Sequence, residues 1–223
     1  MSNVVLVVVA HSDDEALGCG GTIRKHVSNG DDVQVVFMAD GVTSRAQSND
    51  ADLARRNAAA KEAQDILGIS QVHSFGFPDQ KLDMLPLLDV TQKLESVLDE
   101  IKPSIVYTHH HGDLNSDHRV VAQALLTACR PLPGSSVKEI YAFEVMSSTE
   151  WNSPLLDPFS PSVFVDISDF LGAKMQSLEK YKVEMRDYPH SRSMEHVEYL
   201  AKHRGASVGV NAAEAFVALR ILN

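Results

Sequence analysis

The sequence predicts an α/β fold: a single domain, 1–223, with a mostly parallel sheet flanked by helices. Three observations point there. Unbroken β-branched runs recur at 3–10 (NVVLVVVA), 32–39 (DVQVVFMA) and 103–109 (PSIVYTH), the pattern of strands covered on both faces. Stretches with helical spacing of apolar residues lie between them. The 223 residues, 44% hydrophobic and 22% charged, suffice to bury one substantial core.

Taken in order, residues 15–29 space Leu17, Ile23 and Val27 onto one helix face, with Gly30 placed to end it. Residues 50–67 set Leu53, Ala60, Ala63 and Leu67 on one stripe, closed by Gly68. Residues 89–102 carry Val90, Leu94, Val97, Leu98 and Ile101 at the helical period, and Pro103 stops that helix. Strand, helix, strand in this rhythm means right-handed crossovers. A further strand follows at 138–143, then a Ser/Pro-rich stretch, 146–161, that reads as a long ordered loop. Helices are expected at 168–186, at 193–204 with Gly205 as its stop, and at 212–222. Repeats and low-complexity segments are absent from the sequence.

A formal net charge of −10 supplies no basic stripe for nucleic acid or an anionic membrane, so the expected partner is a small molecule. Cys19 and Cys129 stand far apart and outside any CxxC arrangement. Two buried free thiols in a reducing compartment are therefore expected rather than a disulfide framework. The apolar start VVLVVVA runs into charge too soon for a membrane span or signal peptide, which points to the cytoplasm. Whether the chain forms a homo-oligomer is left open.

In an open parallel sheet, ligands bind beyond the carboxyl ends of the strands. HSDDE (11–15), DGVTSR (40–45) and THHHGDLNSDH (108–118) all fall there. A catalytic zinc site typically uses three His or Asp/Glu ligands and keeps a fourth position open. His11 and Asp14, three apart at a turn opening a helix, can face one cation, leaving Asp13 directed elsewhere as a base. NSDH supplies a third ligand: Asn115 or Ser116 caps a helix and leaves Asp117 and His118 in its first turn. A divalent ion also offsets the clustered carboxylates. The plainer alternative is an Asp-rich helix start favoured by the macrodipole, at about 0.3–1 kcal/mol per charge. GCGG (18–21) suggests a nucleotide-binding module, but Ile23 falls where G-x-G-x-x-G needs its third glycine.

AHSDDE resembles the AHPDDE signature of the PIG-L/LmbE-like family of zinc-dependent N-deacetylases, and DLNSDH is similar to that family's second signature. The likeness extends through ADGVTSR, FGFPDQKLD and YTHHHGDLNSDHR to HSRS and AEAF. It implies a Rossmann-like fold and a hydrolase that removes the acetyl group from an N-acetylated amino sugar or conjugate. Carried over by residue, it gives His11, Asp14 and His118 as ligands of Zn2+ or another divalent ion, Asp13 as general base, and Asp117 as an orienting neighbour. It places Arg45, Asp79 and Arg192 near substrate. Of the HHH run at the strand end, His109 is read as lining the pocket. His110 and His111 are left out, because successive strand residues alternate sides.

Two residues depart from the family pattern. Ser12 stands where proline is usual, and Asn115 stands where some members carry a histidine proposed to stabilise the oxyanion. An asparagine amide donates a hydrogen bond but carries no positive charge, so the electrophilic role passes to His190 in YPHSRS or stays with Asn115. FEVMSSTEW (143–151) mixes hydroxyls, carboxylates and the only tryptophan, a composition suited to a sugar. Glu15 either orients a ligand or favours the helix start. The competing functions are a metal-dependent esterase on acylated small molecules and a non-catalytic nucleotide-binding module.

Overall fold

Thirteen elements follow one another in a computed structural model that describes residues 2–41, 43–44 and 50–222. They are β1 (Val4–Val9), α1 (Asp14–Ser28), β2 (Asp32–Ala39), α2 (Asp50–Leu67), β3 (Gln71–Phe77), α3 (Leu87–Ile101) and β4 (Ile105–His109), then α4 (Ser116–Ala128), β5 (Glu139–Phe143), β6 (Val163–Asp166), α5 (Leu171–Lys180), α6 (Met194–Ala206) and β7 (Ala213–Ile221). The seven strands make one sheet in the order β3-β2-β1-β4-β5-β7-β6. β1 to β5 pair in parallel, whereas β7 runs antiparallel to both β5 and β6.

β1 shows why the central strands read as unbroken apolar runs. Val5, Val7 and Val9 pack into a core shared with residues of α1, α2, α5 and α6. Leu6 and Val8 pack into a second core with residues of α3 and α4. With helices on both faces, alternation disappears from the sequence. Chain direction matters equally: β1 connects outward to β2 while β4 and β5 build the other half. The loops after β1 and β4 therefore diverge, opening a crevice at the carboxyl ends.

The chain 212–222 is not the expected helix but contains strand β7. Nine residues with mixed periodicity suit either element, and the open slot between β5 and β6 decides in favour of the strand by pairing its backbone on both sides. Phe216 then packs 5.2 Å from the Tyr107 ring. Strands β3 and β6 went unanticipated because they lie at the sheet edges, where β3 is only partly buried and β6 has four residues. The helix expected at 168–186 shortens to α5. Gly205 lies inside α6 rather than ending it; a Cβ there would meet Ala212 Cα at 2.7 Å, so the glycine permits a close approach to the chain entering β7. No helix among the described residues is long and apolar enough to cross a membrane.

Phe216 is fully buried, so Phe216→Ala should lower unfolding free energy by about 3–5 kcal/mol. Urea denaturation followed by circular dichroism checks this; a loss below about 1 kcal/mol would contradict the central placement of β7.

Candidate active site

The polar cluster begins where β1 ends. Ala10 N–H donates to His109 Nε2 at 2.9 Å and His11 N–H to Asp14 Oδ2 at 2.9 Å, closing a turn that reverses into α1. Asp13 takes φ +131° and ψ −27°, a conformation that L side chains disfavour by about 1–3 kcal/mol. Its backbone is fixed by Glu15, whose Oε2 accepts the Asp13 N–H at 2.9 Å while Oε1 accepts the Tyr181 hydroxyl at 2.6 Å. Glu15 thus serves neither as ligand nor as a mere helix-start charge; it holds the strained residue. The Asp13 carboxylate makes no capping bond to the helix. Ser12 also gains a role from its hydroxyl: Arg56 Nε donates to Ser12 Oγ at 2.9 Å and Arg56 Nη2 to Ser12 O at 2.7 Å.

Asn115 is the cap of α4, accepting the Asp117 N–H at 2.9 Å. That cap turns His118 inward. Ligand atoms of His11, Asp14 and His118 lie within 4.8 Å of one another, all three side chains buried. Asp14 Oδ2 is the shared point, 3.3 Å from His11 Nδ1 and 3.4 Å from His118 Nε2. His118 Nδ1 lies 3.2 Å from Asp113 Oδ2, yet neither ring nitrogen of this buried histidine has an aligned hydrogen bond. A buried imidazole left orphaned beside a carboxylate fits a divalent cation drawing on both.

Surrounding groups hold this trio in place. His11 Nε2 lies 3.1 Å from both Asp79 Oδ1 and Asp117 Oδ2. Those three residues form a second group with ligand spacing, but the Asp117 oxygens also accept the Gln80 and Leu82 N–H groups at 2.8 and 3.0 Å, which ties the 80–82 loop to the helix. Asp113 accepts from the Ser148 and Thr149 hydroxyls as well as facing His118. His109 stacks on His118 at 3.8 Å, 3.5 Å from Asp14 Oδ2, with its Nε2 committed to Ala10.

The electrostatics follow from burial and these pairings. Burial disfavours a charged His118, but Asp14 and Asp113 outweigh it and raise the pKa to about 9. Burial likewise opposes the charged His11, and Asp117, Asp14 and Asp79 raise it well above the ordinary value. Burial would raise Asp14, but His118 and His109 hold it well below the carboxylate range. His109, buried and beside His118, drops to about 3. Asp13 moves up, because burial outweighs Arg192 and Arg56.

A cavity of about 190 Å³ opens onto these groups, lined by His11, Asp13, Asp14, Asp79, Asn115, His118 and Arg192, with Arg56, Glu184, Gln80, Ser44 and Gly41. Arg192 Nη1 donates to Asp13 Oδ2 at 3.0 Å, and Arg56 Nη2 lies 3.5 Å from Oδ1. His190 is not among the lining residues. Its Nδ1 accepts the Arg192 N–H at 3.0 Å and its ring meets Trp151 edge-on at 5.5 Å. His110 and His111 point to the 152–157 loop, with Nε2 atoms 3.0 Å from Asp157 O and Oδ2 respectively. Arg45 lies outside the described residues. Gly18 and Gly21 of GCGG face the Phe143 and Ile167 side chains, too near for a Cβ, and so serve packing rather than a nucleotide.

Sequence reasoning missed Asp113, Arg56, Glu184 and Tyr181. Asp113 was within the quoted GDLNSDH, and a buried second carboxylate behind a ligand histidine is a regular companion. Arg56 carried no signal: an Arg55–Arg56 pair on a polar helix reads as a solvated face.

The sequence profile of the family described as PIG-L, GlcNAc-PI de-N-acetylase, matches residues 6–129. A protein of Escherichia coli K12 described as an uncharacterized deacetylase, YaiS, is 30% identical over 80% of this chain and 90% of its own length. A Bacillus cereus protein, described as a probable N-acetyl-alpha-D-glucosaminyl L-malate deacetylase, is 28% identical over 82% of this chain and 84% of its own length. Among solved structures, GalB, the 4-carboxy-2-hydroxymuconate hydratase of Pseudomonas putida KT2440, superposes with a TM-score of 0.78 at 22% identity, covering 100% of this chain and 99% of that one. That likeness is one of fold alone. With the matched segment spanning both AHSDDE and DLNSDH, the chain belongs to the PIG-L family of de-N-acetylases.

Proposed function

We propose that the chain is a zinc-dependent hydrolase that removes the acetyl group from an N-acetylated amino sugar or a conjugate of one, releasing acetate and the free amine. The observation that carries this reading is the buried trio His11, Asp14 and His118 at a cavity shared with Asp13, a carboxylate with no capping duty. The B. cereus relative, named for an N-acetylglucosaminyl substrate, supports a sugar acceptor. Two imidazoles and one carboxylate form the donor set of mononuclear hydrolytic zinc sites. When bound there, the ion supplies Lewis acidity toward an acetyl carbonyl and acidifies water to a pKa near 7.

The remaining work belongs to the side chains. Asp13 takes a proton from the attacking water and returns it to the nitrogen as the C–N bond breaks. Arg192 and Arg56 fix one oxygen each, so the carboxylate cannot rotate away. Asn115 spends its Oδ1 on the Asp117 N–H, which leaves its amide NH2 as the donor it offers the cavity. It is therefore the neutral donor for the developing oxyanion. His190 acts one step back, holding the Arg192 backbone. Two buried free cysteines agree with a reducing, cytoplasmic compartment.

Asp13→Asn should retain the metal, by elemental analysis, while acetate release from N-acetylglucosamine conjugates falls about 10²- to 10⁴-fold. Unchanged turnover would remove Asp13 from the mechanism, and cleavage of O-acetyl esters with N-acetyl sugars untouched would overturn the deacetylase reading. Metal affinity should depend on pH in a defined direction. With its pKa at about 9, His118 in the metal-free protein is protonated at neutral pH, and the ion must displace that proton. Affinity should fall about tenfold per pH unit as pH drops below about 9, and more steeply where His11 also holds a proton. Chelator competition between about pH 6 and about pH 9 measures the slope; a flat response contradicts the ligand assignment.

A further inference from the structure

Helix α1 is not continuous. Cys19 takes φ −146° and ψ 26°, outside helical space, so the turn Asp14–Gly18 and the segment from Gly20 onward are two helices joined at a kink. Each half is seated on a different part of the sheet. A Cβ on Gly18 would lie 2.2 Å from the Phe143 ring at the end of β5, and one on Gly21 would lie 2.7 Å from Ile167, just past β6. A kink frees backbone donors after it and carbonyls before it, as a helix end does. Residues 14–23 are all buried, so water cannot satisfy them.

Two side chains far away in sequence do so. Glu214 on β7 accepts the Gly21 N–H at 3.0 Å through Oε1 and the Thr22 N–H at 2.7 Å through Oε2. Lys174 on α5 donates its Nζ to Leu17 O at 2.7 Å and to Glu214 Oε1 at 2.5 Å. Lys174 and Glu214 are 3% and 5% exposed. A buried Lys–Glu pair is a weak source of net stability, because desolvation offsets most of the attraction. Its contacts here are with the two broken ends of α1, whose first turn carries Asp14 and is entered through Asp13.

We propose that Lys174 and Glu214 are positioning residues that set the tilt of the first turn of α1, and through it the placement of the Asp13 and Asp14 carboxylates against His118. The proposal rests on the reading of His11, Asp14 and His118 as metal-holding. A fixed tilt matters because Asp14 must share a point with a ring carried by α4, and misplacement of about 1 Å at a reacting centre can reduce rate about 10²-fold.

The test compares wild type with Glu214→Gln, the charge-balanced pair Lys174→Met with Glu214→Gln, the milder Glu214→Asp, and Lys174→Arg, which keeps charge and donors. Glu214→Asp retains the ion pair but is one methylene short of both N–H groups, so it reports even if the double variant fails to fold. In the folded Glu214 variants and the double variant, metal affinity of the apo protein should weaken about 10- to 100-fold and kcat fall by a comparable factor with KM within about twofold, while Lys174→Arg keeps most of both. Backbone amides 13–18 should exchange with deuterium faster, with α3 unchanged. Variants that lose thermal stability but keep wild-type metal affinity, kcat and exchange at 13–18 would overturn the proposal in favour of a purely structural pair. Wild-type protein that bound no divalent ion would instead overturn the metal reading, and the exchange measurement would still judge the positioning.

Discussion

The centre depends on the burial of the Asp14 carboxylate. Its Oδ2 accepts the His11 N–H and stands within 3.5 Å of ring nitrogens of His11, His109 and His118. A carboxylate taken out of water at such a place is unfavourable by several kcal/mol unless positive charge and hydrogen bonds meet it. His11 from the β1 turn and His118 from α4, both with raised pKa, meet it for that reason, while His109 of β4, neutral with its pKa at about 3, stacks on His118. The low pKa of Asp14 and the raised pKa of His118 describe one attraction from two sides, at a cluster whose spacing could also hold a metal ion.

A second layer of carboxylates shapes this first one. Asp113 stands behind His118, Asp117 and Asp79 behind His11, and Glu15 behind the Asp13 backbone. Each of the four is anchored by further donors: hydroxyls of Ser148 and Thr149, backbone N–H groups of Gln80 and Leu82, the Ser44 hydroxyl, and the Tyr181 hydroxyl. The crowding of acidic residues in HSDDE is thus a division of duties: Asp13 meets Arg192, Asp14 meets the histidines, and Glu15 meets Tyr181 and the Asp13 N–H. Strain at Asp13 is tolerated because Glu15 and Tyr181 over-determine it.

The same packing sets the shape of α1. The helix breaks at Cys19, and on either side of the break Gly18 seats it against Phe143 and Gly21 against Ile167. Similar folds serve different chemistry, as the hydratase GalB illustrates, so the arrangement of these side chains rather than the sheet carries the functional argument.

Much of this was legible in the residues themselves. Apolar runs identified β1, β2, β4 and β5, and the helical period identified α1, α2 and α3, because burial on both faces of a sheet and on one face of a helix leaves a local pattern. The i, i+3 spacing of His11 and Asp14, and the placing of His118 three residues after Asn115, likewise belong to local turns and were visible in short segments. What only the tertiary structure decided involves partners remote along the chain. Strand β7 won over a helix because a slot between two strands awaited it. Asp113 rather than another carboxylate stands behind His118, Arg56 reaches Ser12, and Glu214 meets Gly21 across 193 positions. The physical reason is common to all four: a buried polar group is satisfied by whatever the fold brings within about 3 Å, and sequence alone records the need but not the neighbour.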